Sequence, residues 1–344
     1  MNILSNGEAA LSGRKLLMEL LRYCESSRLR ATFELGVTIA ALLLSWWLMW
    51  LSLGVGYWLT LALAIPTAGF LVRLFMIQHD CGHGAFFRRR FTNDLVGRAL
   101  GVLTFTPYDY WKRNHAIHHA TSGNLDRRGI GDIETLTVGE YQSRSALGRF
   151  GYRVYRNPLV LFGVGPAYLF LLQHRLPFGQ MRVSWRPWAS AMATNAAIMA
   201  LSAIMIWFIG IGPFLAVHLP VVMLAASIGV WLFYVQHQFE DVEWARDGEW
   251  VMTDAAMSSS SHYDLPAVLR WFTANIGVHH VHHLCSRIPF YRLGQVLRDH
   301  PHLRSAGRVT LGESLRSVRL ALWDEARQKM VSFREARTAP QDLR

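Results

Sequence analysis

Cysteine is nearly absent from this chain: three occur in 344 residues, Cys24, Cys81 and Cys285, and no two form a CxxC pair. That argues against a disulfide framework and against thiolate metal sites. There is no CxxCH haem attachment, no four-cysteine cluster pattern and no GxGxxG turn, so the chain carries no electron-delivering group of its own. The Glu-x-x-His pairs of soluble carboxylate-bridged di-iron bundles are missing as well. Internal repeats, low-complexity tracts and a cleavable leader are not apparent either.

Charge is missing from two long stretches. No Asp, Glu, Lys or Arg occurs from Leu35 to Val72 or from Pro187 to Phe239. One crossing of a hydrocarbon core takes about 20 residues, so each stretch is long enough for two. Gly54-Val55-Gly56 divides the first and Gly210-Ile211-Gly212-Pro213 the second. Spans are expected near 35–53, 57–78, 188–209 and 214–236, with Arg73 snorkelling at the end of the second. The expected fold is all-α and integral to the membrane: four spans in two hairpins, topped by a helical cap. Pro158–Leu172 and Phe91–Tyr110 read as interfacial or re-entrant.

Lys and Arg number 35 against 24 acidic residues, a net charge of +11, and almost all flank the spans on one side. By the positive-inside rule the two hairpin turns face outward and both termini are cytoplasmic. Basic sequence beside spans suits anionic lipid, and no nucleic-acid motif accompanies it. Leu16, Leu17, Leu20 and Leu21 among Arg14, Lys15, Arg22 and Arg28 suggest an amphipathic N-terminal segment over 1–34. The membrane domain is expected over 35–293 and a C-terminal tail over 294–344.

What the chain has in abundance is histidine, 15 residues, and their spacing carries the signal. His79/His83 is an HxxxH pair; His115/His118/His119 and His279/His282/His283 are HxxHH triplets. A single HxxxH means little, but at this histidine content HxxHH arises by chance roughly 0.03 times per chain, and it occurs twice. On a helix, positions i, i+3 and i+4 share one face, so each triplet is expected to project three imidazoles toward a common point. Eight imidazoles exceed one zinc site and suit two six-coordinate metals with open positions. Iron, copper and zinc all accept such ligands, and two irons would add redox chemistry. Helices begun at Tyr57 and Phe214 reach His79 and His237 after ~33 and ~34 Å, the same depth across a core of ~30 Å. His237 is therefore a ninth candidate ligand.

Metal-bound imidazoles usually give the other ring N–H to a carboxylate or carbonyl. Asp80, Glu240 and Asp241, with Asp109, Asp132 and Glu134, are the acids near the boxes, and Asn275 lies one turn before His279. His280 falls off the ligand face of its box and reads as outer-shell or packing. His174, His218, His262, His300 and His302 have no partner spacing and read as structural or solvated.

His79-Asp80-Cys81-Gly82-His83-Gly84-Ala85-Phe86-Phe87, Asn114-His115-Ala116-Ile117-His118-His119-Ala120-Thr121 and Asn275-Ile276-Gly277-Val278-His279-His280-Val281-His282-His283-Leu284 resemble the three boxes of membrane fatty acid desaturases. The likeness runs from about Leu35 to Leu293, and the Gly123–Tyr141 stretch is most similar to bacterial delta-12 or omega-6 types. The resemblance implies two non-haem irons held by the nine histidines and oxygen-dependent insertion of a cis double bond into an acyl chain. The chain would be linked to lipid, CoA or an acyl carrier, with electrons from an external ferredoxin-like donor, in a bacterial inner membrane. Two rivals stand beside it: a di-iron hydroxylase or ketolase, and a histidine-rich metal transporter.

Overall fold

The computed structural model describes residues 6–129, 131–176 and 185–338, with backbone alone for 6–12 and 338. The remaining positions, including residues 1–5 of the expected N-terminal segment and 339–344 of the expected tail, lie outside the described residues.

In chain order the first helices are α1 (Asn6–Leu20), α2 (Arg28–Ser52), α3 (Tyr57–Gly82), α4 (Arg90–Leu103) and α5 (Tyr108–Thr121). A two-residue strand β1 (Leu136–Thr137) precedes α6 (Val138–Ser143), α7 (Ala146–Tyr155) and α8 (Gly165–Leu171). Then come α9 (Arg186–Ile209), α10 (Ile211–His237), α11 (Met252–Ser258), strand β2 (His262–Asp264), α12 (Ala267–Phe272), α13 (His279–Leu284) and α14 (Phe290–Asp299). β3 (Arg308–Thr310), α15 (Leu311–Ser317), β4 (Leu322–Asp324), β5 (Lys329–Val331) and the short α16 (Glu335–Thr338) complete the described residues.

Among the described residues four helices are long and apolar enough to cross a membrane: α2, α3, α9 and α10. They match the four expected spans and pair as two hairpins, α2 with α3 and α9 with α10. The second hairpin turns on Gly210, whose φ of +81° is a conformation glycine adopts without a Cβ clash. Ser27 starts α2 seven residues before the expected span by accepting the Arg30 N–H at 3.3 Å. Buried hydroxyls inside the apolar layer are satisfied locally: Ser52 and Thr60 meet at 2.7 Å across the first hairpin, and Thr67 donates to the Leu63 carbonyl.

α3 is the central helix, packed between α2 and α10. Arg73 departs from the snorkelling expectation. Its side chain is 2% exposed, 2.5 Å from Glu34 on α2, and it donates to the Trp271 carbonyl while lying over that indole. A carboxylate and a carbonyl within reach make burial possible where extension to the surface would have been needed.

Phe91–Tyr110 forms α4 and the turn into α5, laid against α3 and α9. Pro158–Leu172 forms a single π-helical turn, Val160–Val164, continued by α8, and both rest on α10. The cap is mainly helical but also contains two small sheets. β1 runs parallel to β4, which pairs antiparallel with β5, and β2 runs parallel to β3. Strands from 308–331, expected in a tail, thus pair with strands that precede the third histidine box. The N-terminal segment is also bound to the cap: Tyr23 donates to Asp299 at 2.7 Å, and the thiols of Cys24 and Cys285 lie 3.4 Å apart.

Candidate metal centre

Three helices and one helix end deliver nine imidazoles to one place. His79 sits in the last turn of α3 and His83 caps it, after which Gly84 at φ +68° turns the chain away. α5 carries His115, His118 and His119, α13 carries His279, His282 and His283, and His237 ends α10. α13 is placed by its approach to β2. Tyr263 N donates to Gly277 O at 2.7 Å, and a Cβ on Gly277 would come within 2.4 Å of the Tyr263 carbonyl oxygen.

The nine rings form two groups, each with its ligating nitrogens within 4.8 Å of one another: His79, His83, His115, His119 and His282, and His118, His237, His279 and His283. The triplets therefore do not each converge on one point, as the spacing alone suggests. The i and i+4 members stay together, and the middle histidine crosses to the other group. Helix geometry gives the reason. At 3.6 residues per turn, i and i+4 diverge by ~40° around the axis, whereas i+3 and i+4 stand ~100° apart.

The donor set fits a pair of cations. His237 Nδ1 lies 3.0 Å from the Ser259 carbonyl, which can only accept, so that nitrogen carries the proton and Nε2 presents a bare lone pair. His118 Nδ1 lies 2.5 Å from Asp132 Oδ1, and the same logic bares its Nε2. These two Nε2 atoms face each other at 3.1 Å, and His279 Nε2 is 3.0 Å from that of His237. Opposed lone pairs at that distance repel unless a positive charge lies among them. Group one repeats the pattern, with His115 Nε2 2.9 Å from His79 and 3.0 Å from His83. Burial pushes His115, His119, His279, His282 and His283 well below the ordinary imidazole range, keeping them neutral and able to ligate. Five nitrogens in one group and four in the other would leave one and two positions of two six-coordinate ions.

Of the acids flagged by sequence, two reach the rings. Burial would raise the Asp132 carboxyl, but the hydrogen bond from His118, the nearby His118 and His237 rings and the Gly129 N–H together hold it below the usual range. Asp80 Oδ1 is 3.5 Å from His79 Nδ1, while its other oxygen accepts Phe290 N–H at 2.7 Å. Asn275, at φ +56°, takes the other side of the same residue, donating to Phe290 O at 3.2 Å. Both residues thus bind α14 to the centre. Glu240 and Asp241 do not approach the rings: both are exposed in the turn after α10. Asp109 pairs with Arg98 and Glu134 with Arg144. His280 donates through Nε2 to the Leu303 carbonyl at 2.9 Å and faces His262, away from both groups. Sequence reasoning missed the Ser259 carbonyl and Trp111, whose indole stacks on His115 at 4.7 Å; no spacing marks either.

Outer partners of this kind change metal affinity by about 10–100-fold. Asp132→Asn is expected to weaken metal binding to the His118 group by that factor, read by titrating metal into the stripped protein.

Against these rings opens an apolar cavity of about 670 Å³, lined along α10 from Gln236 to Val222 and ending at His79, His115 and His279. Its walls come from α3, α5, the π-helical turn, α8 and α10. Val164 and Tyr168, which line it, are 62% and 57% exposed.

A family model described as fatty acid desaturase matches residues 56–312. A fatty acid desaturase of Bacillus subtilis (strain 168) is 46% identical over 298 residues, covering 87% of this chain and 84% of the relative. An sn-1 oleoyl-lipid 12-desaturase of Anabaena variabilis is 26% identical over 85% of this chain and 82% of its own. An sn-1 acyl-lipid omega-3 desaturase (ferredoxin) of Nostoc sp. (strain 36) is 25% identical over 74% of this chain and 68% of its own. With four apolar helices, a histidine-lined centre and an apolar cavity against it, the chain belongs to the fatty acid desaturase family, membrane enzymes that introduce a double bond into a fatty acyl chain.

Proposed function

We propose that the nine histidines hold two irons and that the enzyme inserts a cis double bond into the acyl chain of a membrane lipid. The observation that carries this reading is the junction of cavity and centre: the apolar cavity meets His79 and His115 of one group and His279 of the other. An acyl chain lying there would present its methylenes to both ions at once. The metals, when bound, supply reductive activation of dioxygen, by which two hydrogens leave adjacent methylenes and water is the other product.

The protein's own part is orientation and exclusion. Asp132 and the Ser259 carbonyl fix the tautomers of His118 and His237 and aim both Nε2 atoms at one point. Apolar walls keep bulk water from the reacting carbons and hold a featureless chain in one register. The exposure of Val164 and Tyr168 in the cavity wall supports entry from the bilayer over delivery by CoA or a soluble acyl carrier. The 12-desaturase relatives support a delta-12 or omega-6 type.

Electrons come from outside the chain, and the ferredoxin named for one relative supports a carrier of that kind. With a net charge of +11, an acidic carrier would be steered toward the protein. Lys and Arg concentrated in the segments beside the spans, and absent from both hairpin turns, support a cytoplasmic cap and cytoplasmic termini in a bacterial inner membrane, with the turns outside. Gas chromatography with mass spectrometry of lipids from expressing cells tests the reading. A new cis-unsaturated fatty acid without oxygenated product is expected; a hydroxy or keto acid in its place would overturn it.

A further inference from the structure

Along α10 the cavity wall runs from Gln236 through Gly229, Ala226 and Ala225 to Val222, ~21 Å of helix. One turn further on lies His218, which does not line the cavity. Its ring stacks on Phe214 at 5.1 Å and meets the tilted ring of Phe105 at 5.3 Å. Phe105 does line the cavity. Its ring therefore stands between the open part of the wall and the closed turn beyond.

The backbone that carries this ring is held in an unusual state. Phe105 has φ +56°, a left-handed conformation that a bulky side chain rarely adopts and that persists where the surroundings impose it. Two clamps do so. Arg175 donates to the Phe105 carbonyl and is itself fixed to Asn195 at 2.9 Å, while Gln78 on α3 binds the Thr104 hydroxyl at 2.5 Å and the Thr106 carbonyl at 3.4 Å. The turn also passes so close to α4 that a Cβ on Gly101 would fall 2.5 Å from the Thr106 oxygen. A strained residue fixed from both sides at the end of an apolar cavity has the character of a fixed stop.

We propose that Phe105 is the stop of the acyl cavity, setting how far the methyl end of the chain passes beyond the metal centre and so which chain lengths are accepted. This rests on the acyl reading of the cavity. The methyl end goes in because the other end bears a polar headgroup, which an apolar wall does not accommodate.

Two substitutions with opposite effects test it in expressing cells fed two saturated fatty acids differing by two methylenes. Phe105→Gly removes the ring and suits the left-handed backbone; the ratio of longer to shorter unsaturated product is expected to rise about 10-fold, the discrimination an apolar pocket gives for a methylene. Ala225→Phe fills the wall on the near side and is expected to lower that ratio by a similar factor. If Phe105→Gly does not accumulate in membranes, Phe105→Leu carries the test with a smaller shift in the same direction. A ratio unchanged in an active Phe105 variant overturns the proposal, whatever Ala225→Phe does. A wild-type enzyme that makes no unsaturated product from either acid overturns the acyl reading itself.

Discussion

Replacing His118 and His283 together by alanine is expected to leave one iron per chain, whereas replacing His118 and His119 together lowers both. The first pair belongs to one group of imidazoles and strips it of two of its four nitrogens. The second pair are sequence neighbours in the same box but serve different groups. If each box served one ion, the two double variants would behave in the opposite order. Activity is expected to fall by on the order of 100-fold or more in both, since losing even an outer partner of a metal ligand costs up to that much. Iron per chain in the purified proteins distinguishes the two arrangements, because loss of activity alone would not. His118→Ala by itself carries a further penalty, leaving the buried Asp132 carboxylate without its donor.

Gly277→Ala is expected to cost about 1–3 kcal/mol and to lower iron in both groups, although Gly277 ligates nothing. Its added methyl would meet a backbone carbonyl oxygen, that of Tyr263, at 2.4 Å. Backbone in a strand ladder gives way less readily than a side chain, so the shift falls on α13. That helix supplies His279 and His283 to one group and His282 to the other, and moving it disturbs both. Thermal unfolding in detergent reads the stability change, and iron content reads the displacement of the box. Gly151→Ala, where a Cβ meets nothing, is the matched control and is expected to change neither.

The spans and the histidine set were legible because each is governed by local repeat. Hydrocarbon thickness sets helix length, so charge-free runs in Leu35–Val72 and Pro187–Phe239 could be cut into four spans before any contact was known. Helical periodicity likewise marks His115/His119 and His279/His283 as pairs. The crossing of His118 and His282 depends on ~100° of rotation between neighbours and on where the second helix stands, and the second quantity is absent from local spacing. Arg73 shows the same limit at longer range. Its partner Glu34 is 39 residues earlier, and a lone cation near a span end reads as snorkelling until that partner is placed. Asp132 was one acid among six near the boxes, and only the fold of the loop after α5 brings it to His118. The cavity could not be read at all, since its wall combines segments far apart in sequence, from α3, α5, the π-helical turn with α8, and α10, whose residues away from the histidines are mostly ordinary apolar ones.

The tail is a further instance. Residues after 293 look like a basic extension, yet β3 pairs with β2 and β4 with β1. Three-residue strands leave almost no alternation to detect, and parallel pairing between distant segments leaves no turn signal.

The most direct test of the account is metal content and metal identity in active, purified wild-type enzyme. Two irons per chain are predicted, one for each group of histidines. Full desaturase activity with a single metal ion per chain, or with zinc in place of iron, would contradict it.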